Sequence, residues 1–320
     1  MLQNFLVSVN AVVPFLFYLT LGYGVRAAGK VDETFLNRLT KLVFAIMFPF
    51  MTFYNVYSAD QGSLPSTTLL IFVGCSILLL EFFLLLVVPK LVKENARRGV
   101  IIQAVFRSNF VIFGLPLTVS VFGPEKAATA AMLVTEVVTI YNITAVIVLE
   151  IFNENGKAGH KLSVKSLLLR LVQNPLLQGC AVGLVFYFLR IRLPGCIANP
   201  IASFANMTTP LAMFALGGTL QFSAIKKNLR YLVPGLTAKL ILIPLIMIPL
   251  AYLLGLRGVE LFLVLVVFGA PVAAASYPMA MNMGGDGELA GQFVYISTAL
   301  SVVTLFVWIF CLGSLGLLAL

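Results

Sequence analysis

Long apolar runs along the 320-residue chain are separated by short clusters of charged residues, glycine and proline. The runs lie at about 5–25, 36–57, 66–89, 100–122, 127–152, 166–189, 198–221, 231–254, 259–283 and 288–318. Each is close to the roughly 20 apolar residues a helix needs to cross a bilayer. The pattern predicts an all-α integral membrane protein of ten transmembrane helices. The first run follows Met1-Leu2-Gln3-Asn4, which carries no basic residue, so it reads as a retained helix and not a cleaved signal.

Composition agrees. Hydrophobic residues make up 60% of the chain and charged residues 10%, against about 25% charge in a soluble domain. That excludes a water-soluble enzyme, a nucleic-acid binder and a disordered regulator. The formal net charge of +9 then orients loops against the membrane. Cys75, Cys180 and Cys311 fall in apolar runs, Cys196 stands alone in a short loop, and His160 sits in a polar segment as a solvated side chain. With no CxxC pair or Cys/His cluster, no disulfide framework, metal or cofactor is expected.

Charge alternates from loop to loop. Connections after odd spans hold Arg26, Lys30, Arg38, Lys41, then Lys90, Lys93, Arg97, Arg98, then Lys157, Lys161, Lys165, Arg170, and finally Lys226, Lys227 and Arg230. Those after even spans hold Lys126, Arg190, Arg192 and Arg257. Basic residues favour the cytoplasmic side, so odd loops are expected inside and both termini outside the plasma membrane.

The prolines carry a repeat. Pro14 and Pro175 differ by 161 positions, Pro49 and Pro210 by 161, Pro89 and Pro249 by 160, and Pro116 and Pro278 by 162; Gly22 and Gly183 differ by 161. The offset is half the chain, which divides it into 1–160 and 161–320 with five spans each. Five is odd, so the second half is expected to run upside down. Two inverted five-helix repeats are a secondary-transporter signature.

Spans four and nine contain helix breakers. Span four reads Arg107-Ser108-Asn109 through Gly114-Leu115-Pro116, and span nine reads Gly269-Ala270-Pro271 through Ser276-Tyr277-Pro278, with Asn282 following. In lipid, a broken helix survives only where it is buried in protein or lines a polar cavity. A proline removes one ladder bond and clashes with the preceding turn, so helices 4 and 9, which hold the matched pair Pro116 and Pro278, are expected to unwind near mid-membrane and cross. Their half-helix N-termini would then face a shared anion site.

Ionisable groups inside spans are costly and therefore informative. Arg107 either attracts a substrate anion or snorkels to the cytoplasm. Glu136, deeper in span five, either carries a coupling proton or neutralises Arg107. Glu81 and Lys239 are expected to form a structural ion pair, and Glu150 to be interfacial. Thr52, Asn55, Tyr141 and Asn142 are polar groups that either finish a cavity or bond between helices.

At these residues the sequence resembles the auxin efflux carrier family. Asn109-Phe-Val-Ile-Phe-Gly-Leu-Pro116 is similar to that family's N-T-L-V-M-G-I-P crossover segment, and Pro210-Leu-Ala-Met-Phe-Ala-Leu-Gly-Gly-Thr-Leu-Gln221 to its G-M-A-M-F-S-L-G-L-F-M-A-L-Q stretch. Asn174-Pro175, Phe48-Pro49 and the segment from Pro271 to Pro278 also fit. The resemblance implies a carrier for small organic anions, with spans 3–5 and 8–10 as transport domain. Spans 1, 2, 6 and 7 would form a scaffold and a homodimer interface. Asn109, Pro116 and Pro278 would form the site, with Thr52, Tyr141 and Asn142 lining it. Two departures stand out: Pro271 and Pro278 are spaced more widely than in the plant pattern, and Arg107 replaces an uncharged residue, which suits a more acidic substrate such as a dicarboxylate.

The leading reading is an alternating-access carrier that exports or exchanges a small carboxylate. Second is a proton- or sodium-coupled importer. An intramembrane enzyme would need a catalytic motif, and only a Ser–Lys constellation through Lys239 is conceivable; a channel is a further alternative.

Overall fold

The computed structural model describes residues 2–58, 65–123, 126–153, 169, 172–219 and 222–318, and they are helical nearly throughout. In chain order the helices are α1 (Leu2–Ala27), α2 (Glu33–Leu42), α3 (Phe48–Tyr57), α4 (Thr67–Leu91), α5 (Asn95–Phe106), α6 (Phe110–Phe122) and α7 (Ala127–Ile151). They continue as α8 (Pro175–Phe188), α9 (Gly195–Thr219), α10 (Phe222–Thr237), α11 (Ile243–Leu253), α12 (Gly258–Gly269), α13 (Ser276–Asn282) and α14 (Gly287–Ser314). A π-helical turn, Val43–Met47, joins α2 to α3, and another, Ala238–Leu242, joins α10 to α11. His160, the loop basics Lys157, Lys161, Lys165 and Arg170, the division at 160/161 and Gln221 lie outside the described residues.

Three described stretches are long and apolar enough to cross a membrane: Glu33–Tyr57, Thr67–Leu91 and Ile225–Leu253. A bent pair, Gly287–Ser301 and Val303–Ser314, makes a fourth if it counts as one span. Their outward faces carry large exposed side chains such as Leu79, Phe82 and Leu253, a favourable arrangement only where hydrocarbon surrounds the helix. Polar side chains start several helices. The carboxylate of Asp32 accepts from Phe35 N at 2.7 Å, the hydroxyl of Ser66 from Leu69 N at 3.1 Å, and the carboxylate of Asp286 from Leu289 N at 3.0 Å. Each satisfies a donor that a first helical turn leaves free.

Close packing is set by glycine in two related places. A Cβ on Gly22 of α1 would strike the carbonyl oxygen of Phe214 in α9, and one on Gly183 of α8 would lie 2.9 Å from the carbonyl oxygen of Phe53 in α3. Adding 161 to Gly22 gives Gly183, and taking 161 from Phe214 gives Phe53. One contact is thus the counterpart of the other.

The helix breaks fall inside spans four and nine, on the N-terminal side of the matched prolines. They fall at 107–109, between α5 and α6, and at 270–275, between α12 and α13. Pro116 lies seven residues further on, inside α6, and Pro278 lies inside α13. The reason is backbone hydrogen bonding. A break needs partners for the freed groups, and the two segments supply them to each other. Asn109 N donates to Pro271 O at 2.8 Å, Ala273 N donates to Arg107 O at 3.3 Å, and Ser108 and Val272 form an antiparallel bridge. Val272 N donates to Ser297 Oγ of α14 at 3.0 Å. Pro271, which has no N–H to place, sits in this extended stretch and not in a helix.

Candidate substrate site at the helix crossover

Where the two unwound segments pair, every residue from Arg107 to Asn109 and from Ala270 to Ser276 is buried. Arg107 is 5% exposed. Its guanidinium donates to Asn142 Oδ1 of α7 at 2.7 Å and to Met279 Sδ of α13. It therefore does not snorkel, and it does not pair with Glu136. Asn109 is the N-cap of α6, yet its side chain makes no capping bond, so its amide, 7% exposed, stands beside the positive end of that helix. Tyr141 donates to Val267 O at 3.0 Å, bracing the last turn of α12.

A second cation, overlooked as a site residue in the sequence, completes the crossover. Lys239, in the π-helical turn after α10 and 1% exposed, donates to Ser108 Oγ. The Ser108 hydroxyl in turn donates to Val267 O. The expected ion pair between Glu81 and Lys239 is not formed: Lys239 is committed to the crossover, and Glu81 lies beside Thr144. A π turn adds one residue to the helix and re-aims the side chains it carries. Here it brings Lys239 inward, and Trp308 Nε1 donates to Leu240 O in the same turn at 3.0 Å. Ser108 and Lys239 have the composition of a Ser–Lys dyad. The Ser108 hydroxyl is itself engaged with Val267 O.

The same elements carry polar atoms without partners. Gln103 Oε1, Asn142 Nδ2 and Ser276 Oγ are buried and unbonded among the described residues. Gln103 and Arg107 both donate to Met279 Sδ, which draws Gln103, Arg107, Asn142 and α13 into one cluster. Among the described residues no carboxylate lies within ion-pair distance of Arg107 or Lys239; the ion pairs are at the surface and involve Arg26, Arg97 and Arg230. Buried cations without a carboxylate partner, and buried polar atoms without a bond, are the kind of groups an anionic ligand can satisfy.

The other predicted site residues lie elsewhere. Thr52 of α3 donates to Pro49 O at 3.1 Å and packs against Gly179 of α8. Asn55 is half-buried one turn further along α3. Asn282, at the far end of α13, donates to Pro278 O at 2.7 Å. Pro116 is in the middle of α6, and its side chain is outside the described set. A cavity of about 190 Å³ approaches the crossover, lined by Glu33 and Asn37 of α2, Leu216 and Thr219 of α9, and Tyr277 and Met281 of α13. Tyr277, next in sequence to Ser276, shares a 2.9 Å hydrogen bond with Thr219 at its floor. Its mouth also carries Glu288.

Comparison with known proteins settles the family. The family model described as membrane transport protein matches residues 7–309. The chain belongs to this family, that of the auxin efflux carriers. It is similar to an uncharacterized transporter of Methanothermobacter thermautotrophicus, 26% identical over 309 residues, which cover 95% of this chain and 98% of the relative. It is also similar to an uncharacterized transporter of Methanocaldococcus jannaschii, 22% identical over 311 residues, with 95% and 98% covered. In transporters generally, discontinuous helices mark substrate sites, and irregular backbone at membrane depth lines a cavity or is buried in protein.

Proposed function

We propose that this transporter is a secondary carrier that moves small carboxylate anions across the plasma membrane by alternating access, outward or in exchange. The observation that carries this reading is the pair of buried cations, Arg107 on the first crossover strand and Lys239 bonded to it at Ser108, with no carboxylate among the described residues to neutralise them. Two positive charges, the N-cap amide of Asn109 and the orphaned Asn142 Nδ2 are chemistry for a carboxylate, and for a dicarboxylate above a monocarboxylate. Export needs no coupling ion. An inside-negative potential contributes about 2.3 kcal/mol per charge per 100 mV, and a tenfold gradient opposes it with about 1.4 kcal/mol.

In this reading the chain has ten spans in two inverted five-helix repeats, 1–160 and 161–320, with both termini outside. The paired contacts Gly22–Phe214 and Gly183–Phe53 favour it, since an inverted repeat relates such contacts by one offset. Spans 1, 2, 6 and 7 form the scaffold and dimer face, and spans 3–5 and 8–10 carry the crossover. The cavity between α2 and α9 on one side and α13 on the other follows the boundary of those two bodies. It serves as the cytoplasmic approach to the site.

The test is uptake of labelled mono- and dicarboxylates into proteoliposomes at imposed potentials, with Asn109→Ala beside the wild type. The expected result is voltage-driven flux that Asn109→Ala abolishes at unchanged expression and folding. Wild-type flux in that variant overturns the site, and silence across the panel overturns the substrate class.

A further inference from the structure

Two acids, Glu136 of α7 and Glu81 of α4, lie in the seam between these helices and are not used by the anion site. Gly74 of α4 makes room for the first: a Cβ there would stand 2.8 Å from Glu136 Oε1. Glu136 Oε2 is buried with no hydrogen-bond partner among the described residues. Seven residues further along α4, about 10 Å at 1.5 Å per residue, Glu81 is 6% exposed. Glu81 Oε2 also has no partner, and the neighbouring Thr144 Oγ1 is unbonded as well. Gly74 thus faces Glu136 as Glu81 faces Thr144, so the two acids lie one above the other along one seam.

Among the described residues no cation faces either acid. On α4 the other titratable groups are Cys75 and Lys90, and on α7 they are Tyr141 and Glu150. The helices packed on this pair are α3, α5, α6, α8 and α12. Of these, α3 brings Tyr54 and Tyr57, α8 brings Cys180 and Tyr187, α12 brings Glu260, and α6 brings none. From α5 come Arg97, bound to Asp286 at 3.0 Å, and Arg98, which donates to Val92 O at 2.7 Å; Arg107 after it is held by Asn142 at 2.7 Å. Lys90 is exposed at the end of α4. A carboxylate at membrane depth with no cation beside it, and for Glu136 no donor to Oε2 among the described residues, would be a poorly compensated buried charge, whereas the neutral acid loses far less on burial.

We propose that Glu136 and Glu81 form a proton-binding pair, and that the carrier moves protons on these two acids together with its anion. The inference rests on the anion-carrier reading for the coupling, though not for the proton binding. The seam lies on α4 and α7, and α7 also holds Asn142 against Arg107, so acids and anion site share one helix. Each acid takes its proton from the aqueous side to which the crossover opens and releases it to the other. No bond other than O–H forms or breaks, and no further reactant is needed. When one proton crosses with a dianion, one negative charge remains to follow the potential, and the cost of carrying the dianion through hydrocarbon is lowered.

Two measurements test it on the full chain in liposomes. In infrared spectra at pH 7 the wild type should show the C=O stretch of protonated carboxylic acids, and Glu136→Gln and Glu81→Gln should each remove a distinct component of it. Absence of that band, or its survival unchanged in both variants, overturns the pair. With a pH-sensitive dye trapped inside and labelled succinate outside, wild-type uptake should acidify the lumen in proportion to succinate flux. Glu136→Gln and Glu81→Gln should each lower the proton-to-succinate ratio at least twofold. An unchanged ratio in both variants, or succinate flux with no acidification in the wild type, overturns the coupling. No wild-type succinate flux together with an intact infrared band supports the proton pair and overturns the carrier reading for this substrate.

Discussion

Lys239 and Ser108, 131 positions apart, are joined by a hydrogen bond that ties the π-helical turn after α10 to the first crossover strand. Ser108 passes the contact on to Val267 O at the end of α12. One ammonium therefore holds both halves of the crossover while standing next to the proposed anion position. Replacing a buried charge with an apolar side chain of similar length is commonly neutral or stabilising for folding, whereas a charge-assisted hydrogen bond to a ligand is worth about 1.5–3 kcal/mol. Lys239→Met is thus expected to keep or raise thermal stability and to weaken anion binding about ten- to a hundredfold. Substrate-dependent thermal shifts and flux KM separate the two effects. Unchanged binding in a stable Lys239→Met protein would make the lysine purely structural.

Arg107 donates to Asn142 Oδ1 at 2.7 Å and leaves the Asn142 amide nitrogen without a partner. The arginine thereby aims a donor of its neighbour as well as its own charge. Arg107→Gln should weaken dianions more than monoanions, by about tenfold if one charge-assisted bond of about 1.4 kcal/mol is lost. The measurement is the ratio of dicarboxylate to monocarboxylate KM in wild type and variant. Equal losses for both would assign Arg107 to holding the crossover together and not to reading substrate charge.

The helices were legible in the sequence because the bilayer fixes their length: α4 spans Thr67–Leu91 where 66–89 is expected, and α7 spans Ala127–Ile151 where 127–152 is expected. The breaks were legible in kind but not in position. Proline marks a helix that can be interrupted, but the interruption falls where freed groups find partners, and Asn109 N finds Pro271 O across 162 positions. Arg107, Asn109, Tyr141 and Asn142 were identifiable as polar or charged residues inside apolar spans, and the structure gathers them. Lys239 raised the same signal and was assigned the wrong partner. Sequence shows that a buried cation needs company, whereas only the π turn of Ala238–Leu242 decides which way it points. Thr52 and Asn282 show the converse, since polar groups in a span are often satisfied by their own helix, as both are at Pro49 O and Pro278 O.

At the surface the chain between α4 and α5 is clasped to two later elements. Arg97 bonds Asp286 at 3.0 Å, Glu94 lies 3.7 Å from both Arg97 and Arg230, and Tyr231 donates to Glu94 at 3.2 Å. Bonding by its own backbone N–H, then the Tyr231 hydroxyl and the two guanidinium groups, holds the Glu94 carboxyl below its ordinary range. A carboxyl lowered in the folded state adds stability above its unfolded pKa and loses it as pH falls through the folded one. The melting-temperature difference between wild type and Glu94→Gln should therefore be small and positive at pH 7 and vanish at the acid end of the carboxylate range. A difference that persists there would point to lost packing in place of lost charge.

Gly217 of α9 carries no side chain where its helix meets α1: a Cβ there would strike the carbonyl oxygen of Leu19, and its neighbour Gly218 is closed in by Leu36 of α2. The contact at Gly217 involves backbone, which cannot step aside as a side-chain tip can. Overpacking of this kind costs about 1–3 kcal/mol. Gly217→Leu is expected to lower the melting temperature by several degrees or to separate α1 from α9, while Gly24→Leu, whose Cβ would meet nothing within 4 Å, should melt like the wild type. Scanning fluorimetry of the two purified variants in one detergent compares them directly. If the scaffold must stay rigid while the crossover moves, Gly217→Leu should also slow anion flux at temperatures where it is still folded, and Gly24→Leu should not. Wild-type flux and melting in Gly217→Leu would mean that α1 and α9 can separate without cost, and the rigid-scaffold reading would fall with that result.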